Sequence, residues 1–266
     1  MSLIASRQNP RFKALRALVE DPRRHGAALA DGAHLVAVCL ERGVVIRQLL
    51  ISESGSRNLE VGMLVARAGN VDCLRLSDAL FREVTGISAP TGIAAVIEIP
   101  APEIGSLRGD AVLLDAVQDA GNVGAILRTA AAAGIRDVLL GPGCAGAWTL
   151  RVLRAAQGAH FSLAIREQAD LAGAIAANER LSIATVADDG VDIYDVDLSA
   201  PVFWLFGNEG AGVSPGLVAA ARIRATIPLA AGTESLNVAA AAAVCLFEAR
   251  RQRLKGKRPA LGGPSC

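Results

Sequence analysis

Three polar stretches interrupt a largely apolar second half of this chain, and each carries residue types able to do chemistry. The first is Gln118-Asp119-Ala120-Gly121-Asn122-Val123-Gly124, followed after three apolar residues by Arg128. The second is Gly207-Asn208-Glu209-Gly210-Ala211-Gly212, which begins directly after Phe206. The third runs from Ile227-Pro228-Leu229 through Glu234-Ser235-Leu236-Asn237. Glycines at this density let backbone N–H and C=O groups approach a ligand closely. Asn122, Glu209, Ser235 and Asn237 supply hydrogen-bond donors and acceptors, and Arg128 supplies a permanent cation. None of the three stretches carries the dinucleotide pattern GxGxxG or a P-loop ending in Lys-Ser/Thr, so a nicotinamide enzyme or an NTPase built on them is a poor reading.

The elements around these stretches decide where they lie. After about residue 105 the chain alternates apolar strands with helices. Strands are expected over 111–117, 137–140, 161–165, 181–187, 201–206 and 225–229. Helices are expected over 122–133, 148–157, 169–178 and 238–253, and another begins at Ser214-Pro215. Strands apolar on both faces with helical crossovers imply a mostly parallel sheet. Ligands of such sheets sit at the carboxyl ends of the strands, where all three polar stretches fall. At the start of the helix over 122–133, Asn122 is expected at or near the cap, and Asn237 can cap the last helix. Arg128 lies in an otherwise apolar helix and is either exposed or held in a polar pocket.

The first hundred residues read as a smaller α/β unit. A basic amphipathic helix is expected over 10–20, a helix over 33–42, a strand over 48–52, a helix from Ser77 to Thr85 closed by Gly86, and a strand over 92–99. Ile99-Pro100-Ala101-Pro102, then Gly105 and Gly109, reads as a linker. The expected domains are therefore 1–104, 105–255 and a basic tail over 256–266.

Formal net charge is only +1, so the chain as a whole is not strongly basic. Cations cluster locally instead. Arg7, Arg11, Lys13, Arg16, Arg23 and Arg24 stand near the start; Arg250, Arg251, Arg253, Lys255, Lys257 and Arg258 stand near the end. Local cationic patches suit a phosphate backbone, and solvated helix faces look the same. Arg151 and Arg154, three apart, share a helix face. The five cysteines have no paired spacing and there are three histidines, which argues against a metal site or a disulfide framework. No signal peptide or membrane-length apolar segment is visible, so a cytoplasmic setting is expected.

Taken together, the three stretches resemble the motifs of the SpoU/TrmH family of SPOUT-class RNA 2'-O-ribose methyltransferases. The first motif of that family is matched by Asn122, Gly124 and Arg128. The second is matched by Gly207, Glu209, Gly210 and Gly212, and the third by Ile227-Pro228 and Ser235-Leu236-Asn237. Ser6-Arg7-Gln8-Asn9-Pro10 with Lys13 and Leu15, Leu76-Ser77-Asp78, and Pro90-Thr91-Gly92-Ile93-Ala94-Ala95 resemble the family's substrate-binding domain. The chain departs from the family pattern at Ala120, where Pro is usual, at Asp31-Gly32, where Glu-Gly is usual, and at Leu150-Arg151, where Pro-Lys is usual.

The resemblance implies a trefoil-knotted catalytic domain behind a small, ribosomal-protein-like RNA-binding domain. It implies S-adenosylmethionine as cofactor, held by Phe206, Gly207, Gly212, Ile227, Leu229 and Leu236. Methyl transfer to a ribose 2'-hydroxyl of tRNA or rRNA would involve Arg128, stabilising the developing alkoxide, with Asn122 orienting the ribose or Arg128 and with Glu209, Ser235 and Asn237 shaping the pocket and bonding to Arg128 or substrate. Arg7, Arg11, Lys13, Arg151 and Arg154 would grip RNA. Family members act as homodimers through the closing helix, and no metal or membrane is implied. Competing readings are a SPOUT-like protein that binds RNA or cofactor without turnover, and an RNA base methyltransferase.

Overall fold

The computed structural model describes residues 3–101, 107 and 109–256, the last two of these by backbone only. They fall into two compact units: residues up to 101 together with 146–161 form the first, and the remaining described residues form the second. Within the expected linker, residues 102–106 and 108 lie outside the described residues, as does the expected tail beyond Gly256.

The first unit contains β1 (Leu3–Ile4), α1 (Pro10–Glu20), α2 (Pro22–His25), β2 (Ala27–Asp31), α3 (Ala33–Glu41), β3 (Ile46–Ser52), α4 (Leu59–Ala68), β4 (Cys73–Leu76), α5 (Asp78–Thr85) and β5 (Ile93–Glu98). Its five strands are ordered β1-β4-β3-β5-β2, with β5 antiparallel to both of its neighbours. Asn9 opens α1 by accepting the Arg11 N–H, and Ser77 opens α5 by accepting that of Leu80. Gly86, in the left-handed conformation, closes α5, as its position in the sequence predicts. Phe12, Leu29, Leu50, Leu76 and Phe81 pack together in the core.

The second unit begins with β6 (Ala111–Leu114), α6 (Ala120–Ala133) and β7 (Asp137–Leu140). The chain then supplies α7 (Leu150–Ala156) to the first unit, where it packs on β2. That placement differs from the expected continuous domain over 105–255. Its physical basis is an ion pair from Arg154 to the buried Asp31 at 3.4 Å and a hydrogen bond from the same guanidinium to the Thr85 carbonyl at 2.9 Å. The second unit resumes with β8 (Ala164–Glu167), α8 (Leu171–Ala176), β9 (Leu181–Thr185), β10 (Val191–Asp192), β11 (Val202–Phe206), α9 (Pro215–Ala220), β12 (Ile223–Thr226) and α10 (Val238–Gly256).

These seven strands form one sheet, ordered β10-β12-β9-β11-β6-β7-β8. Every pairing in it is parallel. The chain moves outward from β6 through β7 to β8, then returns to build the other side. The strand order therefore reverses between β6 and β11, and β11 sits at the centre, fully buried. Phe203 and Leu205 of β11 face a core with Leu113, Leu139, Leu171 and Leu217, while α10 packs along α6.

Several expected ends shift. β6 stops at Leu114, because Ala116 turns the chain with φ +52°. Residues 159–162 form a short helical turn, so the next strand starts at Ala164. Ser214 precedes α9 without a capping bond from its side chain, and its own N–H donates to Asp115 Oδ2 at 2.7 Å.

Candidate active site

The reversal of strand order places the loops after β6, β11, β9 and β12 along one edge. Register fixes the first two: Leu114 pairs with Phe206, so the stretches beginning at Asp115 and Gly207 leave the sheet side by side. Gly207 has to be glycine. A Cβ there would lie 2.1 Å from the Gly212 carbonyl carbon and the Val213 nitrogen, far inside van der Waals contact. The loop 208–212 folds back on Gly207 and closes through paired backbone bonds between Asn208 and Gly212 of 3.0 and 2.9 Å.

Glu209 lies on this folded loop and reaches the start of α6. Its carboxylate accepts from the backbone N–H of Gln118 (3.3 Å) and Asp119 (3.1 Å) and from Asn122 Nδ2 (2.9 Å). Partial burial works to raise the Glu209 carboxyl, but the bonds from Asn122 and from the backbone N–H groups of Glu209, Asp119 and Gln118 outweigh it and hold the group below the usual carboxylate range.

Asn122 is not the cap of α6. Asp119 is, its carboxylate accepting the Asn122 N–H at 2.8 Å. The Asn122 side chain is thereby left available, and its Oδ1 accepts from Asn237 Nδ2 at 2.9 Å. Asn237 Oδ1 in turn accepts from the N–H groups of Ala239 and Ala240, capping α10. The series Glu209–Asn122–Asn237 therefore joins all three loops. A carboxylate can only accept, which fixes the orientation of both amides along it.

Beside this series is a cavity of about 350 Å³, a size suited to a small organic ligand. Its wall includes Gly207, Glu209, Gly212, Ile227, Leu229, Ser235, Leu236 and Asn237. Leu236 is 39% exposed, an apolar surface turned toward the opening. Thr185, Val186 and Ala187, at the end of β9 and just beyond it, complete the wall; no polar motif marks them in the sequence. Phe206 is fully buried in β11 and is not on the wall. It contributes through its carbonyl, which accepts the Asp115 N–H at 2.9 Å.

Arg128, two turns into α6, is exposed and stands outside the cavity wall. Among the described residues its side chain makes no hydrogen bond or ion pair, so the expected bonds from Glu209, Ser235 or Asn237 to Arg128 are not formed; Glu209 is committed to Asn122 and the backbone instead. In the first unit, Arg7 pairs with Glu83 and Arg11 with Asp72, each at 2.7 Å. Lys13 and Arg151 are exposed, with no side-chain partner among the described residues. His160, buried against Trp148, is pushed down to about 4 by burial, against the opposing effect of its bond to the Ala147 carbonyl. Among the described residues no cluster of His, Cys, Asp and Glu could hold a metal ion, and no helix is long and apolar enough to cross a membrane.

Fold and site together define a two-domain α/β protein whose catalytic half is a parallel sheet with its cavity at the strand-order reversal. The family model described as the SpoU rRNA Methylase family matches residues 110–247. The 23S rRNA (guanosine(2553)-2'-O)-methyltransferase RlmP of Bacillus subtilis is 32% identical, over 94% of this chain and 100% of its own length. The 23S rRNA (uridine(2479)-2'-O)-methyltransferase of Streptomyces viridochromogenes is 31% identical, over 94% of this chain and 92% of its own. The crystal structure of an AdoMet-bound rRNA methyltransferase from Sinorhizobium meliloti superposes with a TM-score of 0.80 at 31% identity, covering 94% of this chain and 97% of that one. The chain belongs to the SpoU rRNA methylase family.

Proposed function

We propose that this protein transfers a methyl group from S-adenosylmethionine to a ribose 2'-hydroxyl of structured RNA, with ribosomal RNA as the favoured substrate. One observation carries the reading: the Glu209–Asn122–Asn237 series gathers three loops around a single cavity at the sheet edge. The cavity fits the cofactor. Its glycines leave backbone groups accessible, and Leu236 offers a bare apolar face for a flat ring. Gly207, Gly212, Ile227, Leu229 and Leu236 would hold the cofactor, which supplies an electrophilic methyl on a sulfonium. A trefoil threading of the loops around 207–212 and 227–237 belongs to the same reading.

A ribose hydroxyl is a weak nucleophile near neutrality, so the site must stabilise the negative charge growing on its oxygen. Arg128 is the residue for this. It stays protonated, and no carboxylate among the described residues neutralises it. Asn122, held at both ends of its amide, and the Ser235 hydroxyl would orient the sugar. Lys13 and Arg151 would contact RNA phosphates, joined by Arg7 and Arg11 if their exposed ion pairs with Glu83 and Asp72 open.

A homodimer through α10 is part of this proposal. Val244, Phe247 and Leu254 lie along one side of α10 with Arg251 among them, and Phe247 is 46% and Leu254 52% exposed; a second copy would cover these apolar groups. A cytoplasmic setting is proposed with it, in keeping with the free Cys39, Cys73, Cys144 and Cys245.

The test is incubation with methyl-labelled S-adenosylmethionine and rRNA, followed by digestion and nucleoside mass spectrometry. A 2'-O-methylated nucleoside is expected, and Arg128→Ala should abolish it while leaving cofactor affinity close to that of the unaltered protein. A base-methylated product, or full turnover by the variant, would refute the respective assignment.

A further inference from the structure

Asn208 stands between the two glycine-loop residues already described, Gly207 and Glu209, and none of the chemistry above uses it. Its side chain nevertheless has an unusually complete set of bonds. Nδ2 donates to the Ala116 carbonyl at 2.9 Å, 92 residues away along the chain. Oδ1 accepts from the Gly210 N–H at 2.9 Å and the Ala211 N–H at 3.0 Å. One amide thus holds the second loop in its folded-back form and pins it to the first.

The pinned point matters because of where it lies. Ala116 has φ +52°, a conformation that residues with a Cβ seldom adopt. Only Val117 separates it from Gln118 and Asp119. The backbone N–H groups of these two meet Glu209 at 3.3 and 3.1 Å, and Asp119 caps α6. One of these bonds is just past and the other just inside the long end of the usual N–H···O range, so neither has length to spare. A shift at Ala116 is therefore passed to the Glu209 contacts and to the start of α6, which carries Asn122.

We propose that Asn208 is a positioning residue that locks the loop after β11 to the loop after β6, so that Glu209 and Asn122 are aligned before substrate arrives. The inference rests on the methyltransferase reading for its kinetic consequences but not for its structural ones. The residue requirement is narrow. Aspartate keeps the acceptor and loses the donor; alanine loses both; glutamine places its amide one carbon too far out.

The experiment compares the full-length protein with Asn208→Ala and Asn208→Asp, each first shown by thermal melting to be folded. At saturating cofactor and RNA, kcat should fall roughly tenfold to a hundredfold in both variants, the scale expected for misplaced reacting groups. Cofactor affinity measured by calorimetry should stay within about threefold. Because Asn208 also lines the cavity, a weakened cofactor affinity with unchanged kcat would instead make it a direct cofactor ligand and overturn the proposal.

Asn208→Asp adds a second signature. Once protonated, the new carboxyl can donate to Ala116 while its other oxygen accepts from residues 210 and 211. The ratio of variant to unaltered turnover should therefore rise as pH is lowered from about 8 toward about 5. Asp115, Asp119, Glu209 and Cys144 flank these loops in both proteins, so taking the ratio removes what they have in common. A ratio independent of pH would contradict the donor role.

Hydrogen exchange over residues 115–123 separates this proposal from the function beneath it. Both variants should exchange the Gln118 and Asp119 amides faster whether or not RNA is methylated. An inactive unaltered protein would sink the methyltransferase reading alone, whereas unchanged exchange in the variants would sink this one.

Discussion

Asn237 Nδ2 donates to Asn122 Oδ1 at 2.9 Å across 115 residues of chain, and the same Asn237 caps the last helix through its Oδ1. One short side chain therefore both starts α10 and orients the residue that faces Glu209. Replacing Asn122 with Ala should lower turnover by on the order of a hundredfold through misalignment, with a stability cost of about 1 kcal/mol. Asn122→Asp should be worse, because it sets a second carboxylate beside Glu209. Steady-state kinetics beside melting curves for the two variants check this, and equal activity for both would contradict the polar series.

Glu209 gives a pH test with a definite sign. Its carboxyl is held below the usual range in the folded protein, so the unfolded chain binds more protons between the two values. The stability it contributes is present above the unfolded carboxylate range and is lost as pH falls through the lowered folded value. The melting-temperature gap between the unaltered protein and Glu209→Gln should accordingly be open near neutrality and close in acid. A gap constant with pH would mean that the ionised form is not the one stabilised.

Gly207→Ala probes the folded-back loop. The new methyl would meet the Gly212–Val213 backbone at 2.1 Å, and backbone has little freedom to yield. A destabilisation of about 1–3 kcal/mol is expected, together with loss of cofactor binding by calorimetry. Normal affinity in this variant would place the cofactor elsewhere.

Among the cations of the first unit, the structure distinguishes free from committed side chains. Lys13→Ala and Arg151→Ala should each weaken RNA binding and reduce the slope of log affinity against log salt by roughly 0.7 to 0.9, the contribution of one phosphate contact. Arg154→Ala should act on stability instead. The Asp31 side chain is 3% exposed and that of Arg154 is 36% exposed, so a cost of about 2 kcal/mol near neutrality is expected after allowing for solvent at the guanidinium. Burial raises the Asp31 carboxyl and Arg154 opposes it. Without Arg154 the carboxyl should rise further, and the variant should lose stability as pH climbs through the shifted value. Filter binding at several salt concentrations and denaturation at several pH values separate these effects.

Much of the catalytic unit is legible in its residues because apolar strands and glycine loops alternate there without ambiguity. What escapes the sequence is which of two good capping residues is used. Asp119 and Asn122 both suit the start of α6, and the choice of Asp119 leaves the asparagine amide free for Glu209 and Asn237. β2 is missed because Ala27-Ala28-Leu29-Ala30 has little intrinsic strand preference; burial on both faces decides it. α7 reads as a helix, but its packing on β2 depends on the Arg154–Asp31 pair, and no local pattern encodes a partner 123 residues away. Asn208 shows only as an unremarked position between Gly207 and Glu209, since a pin to Ala116 leaves no trace in spacing.

The dual role of Asn237 also bears on how the protein is made. During synthesis, β6 and α6 emerge well before residue 237 is added, yet Asn122 then lacks its second partner and the cavity lacks one wall. Catalytic competence should arrive late and abruptly, when the segment carrying Asn237 docks and α10 winds from it. A nascent chain would thus be unable to modify RNA, including that of the ribosome producing it, until nearly the whole of this sequence has been translated.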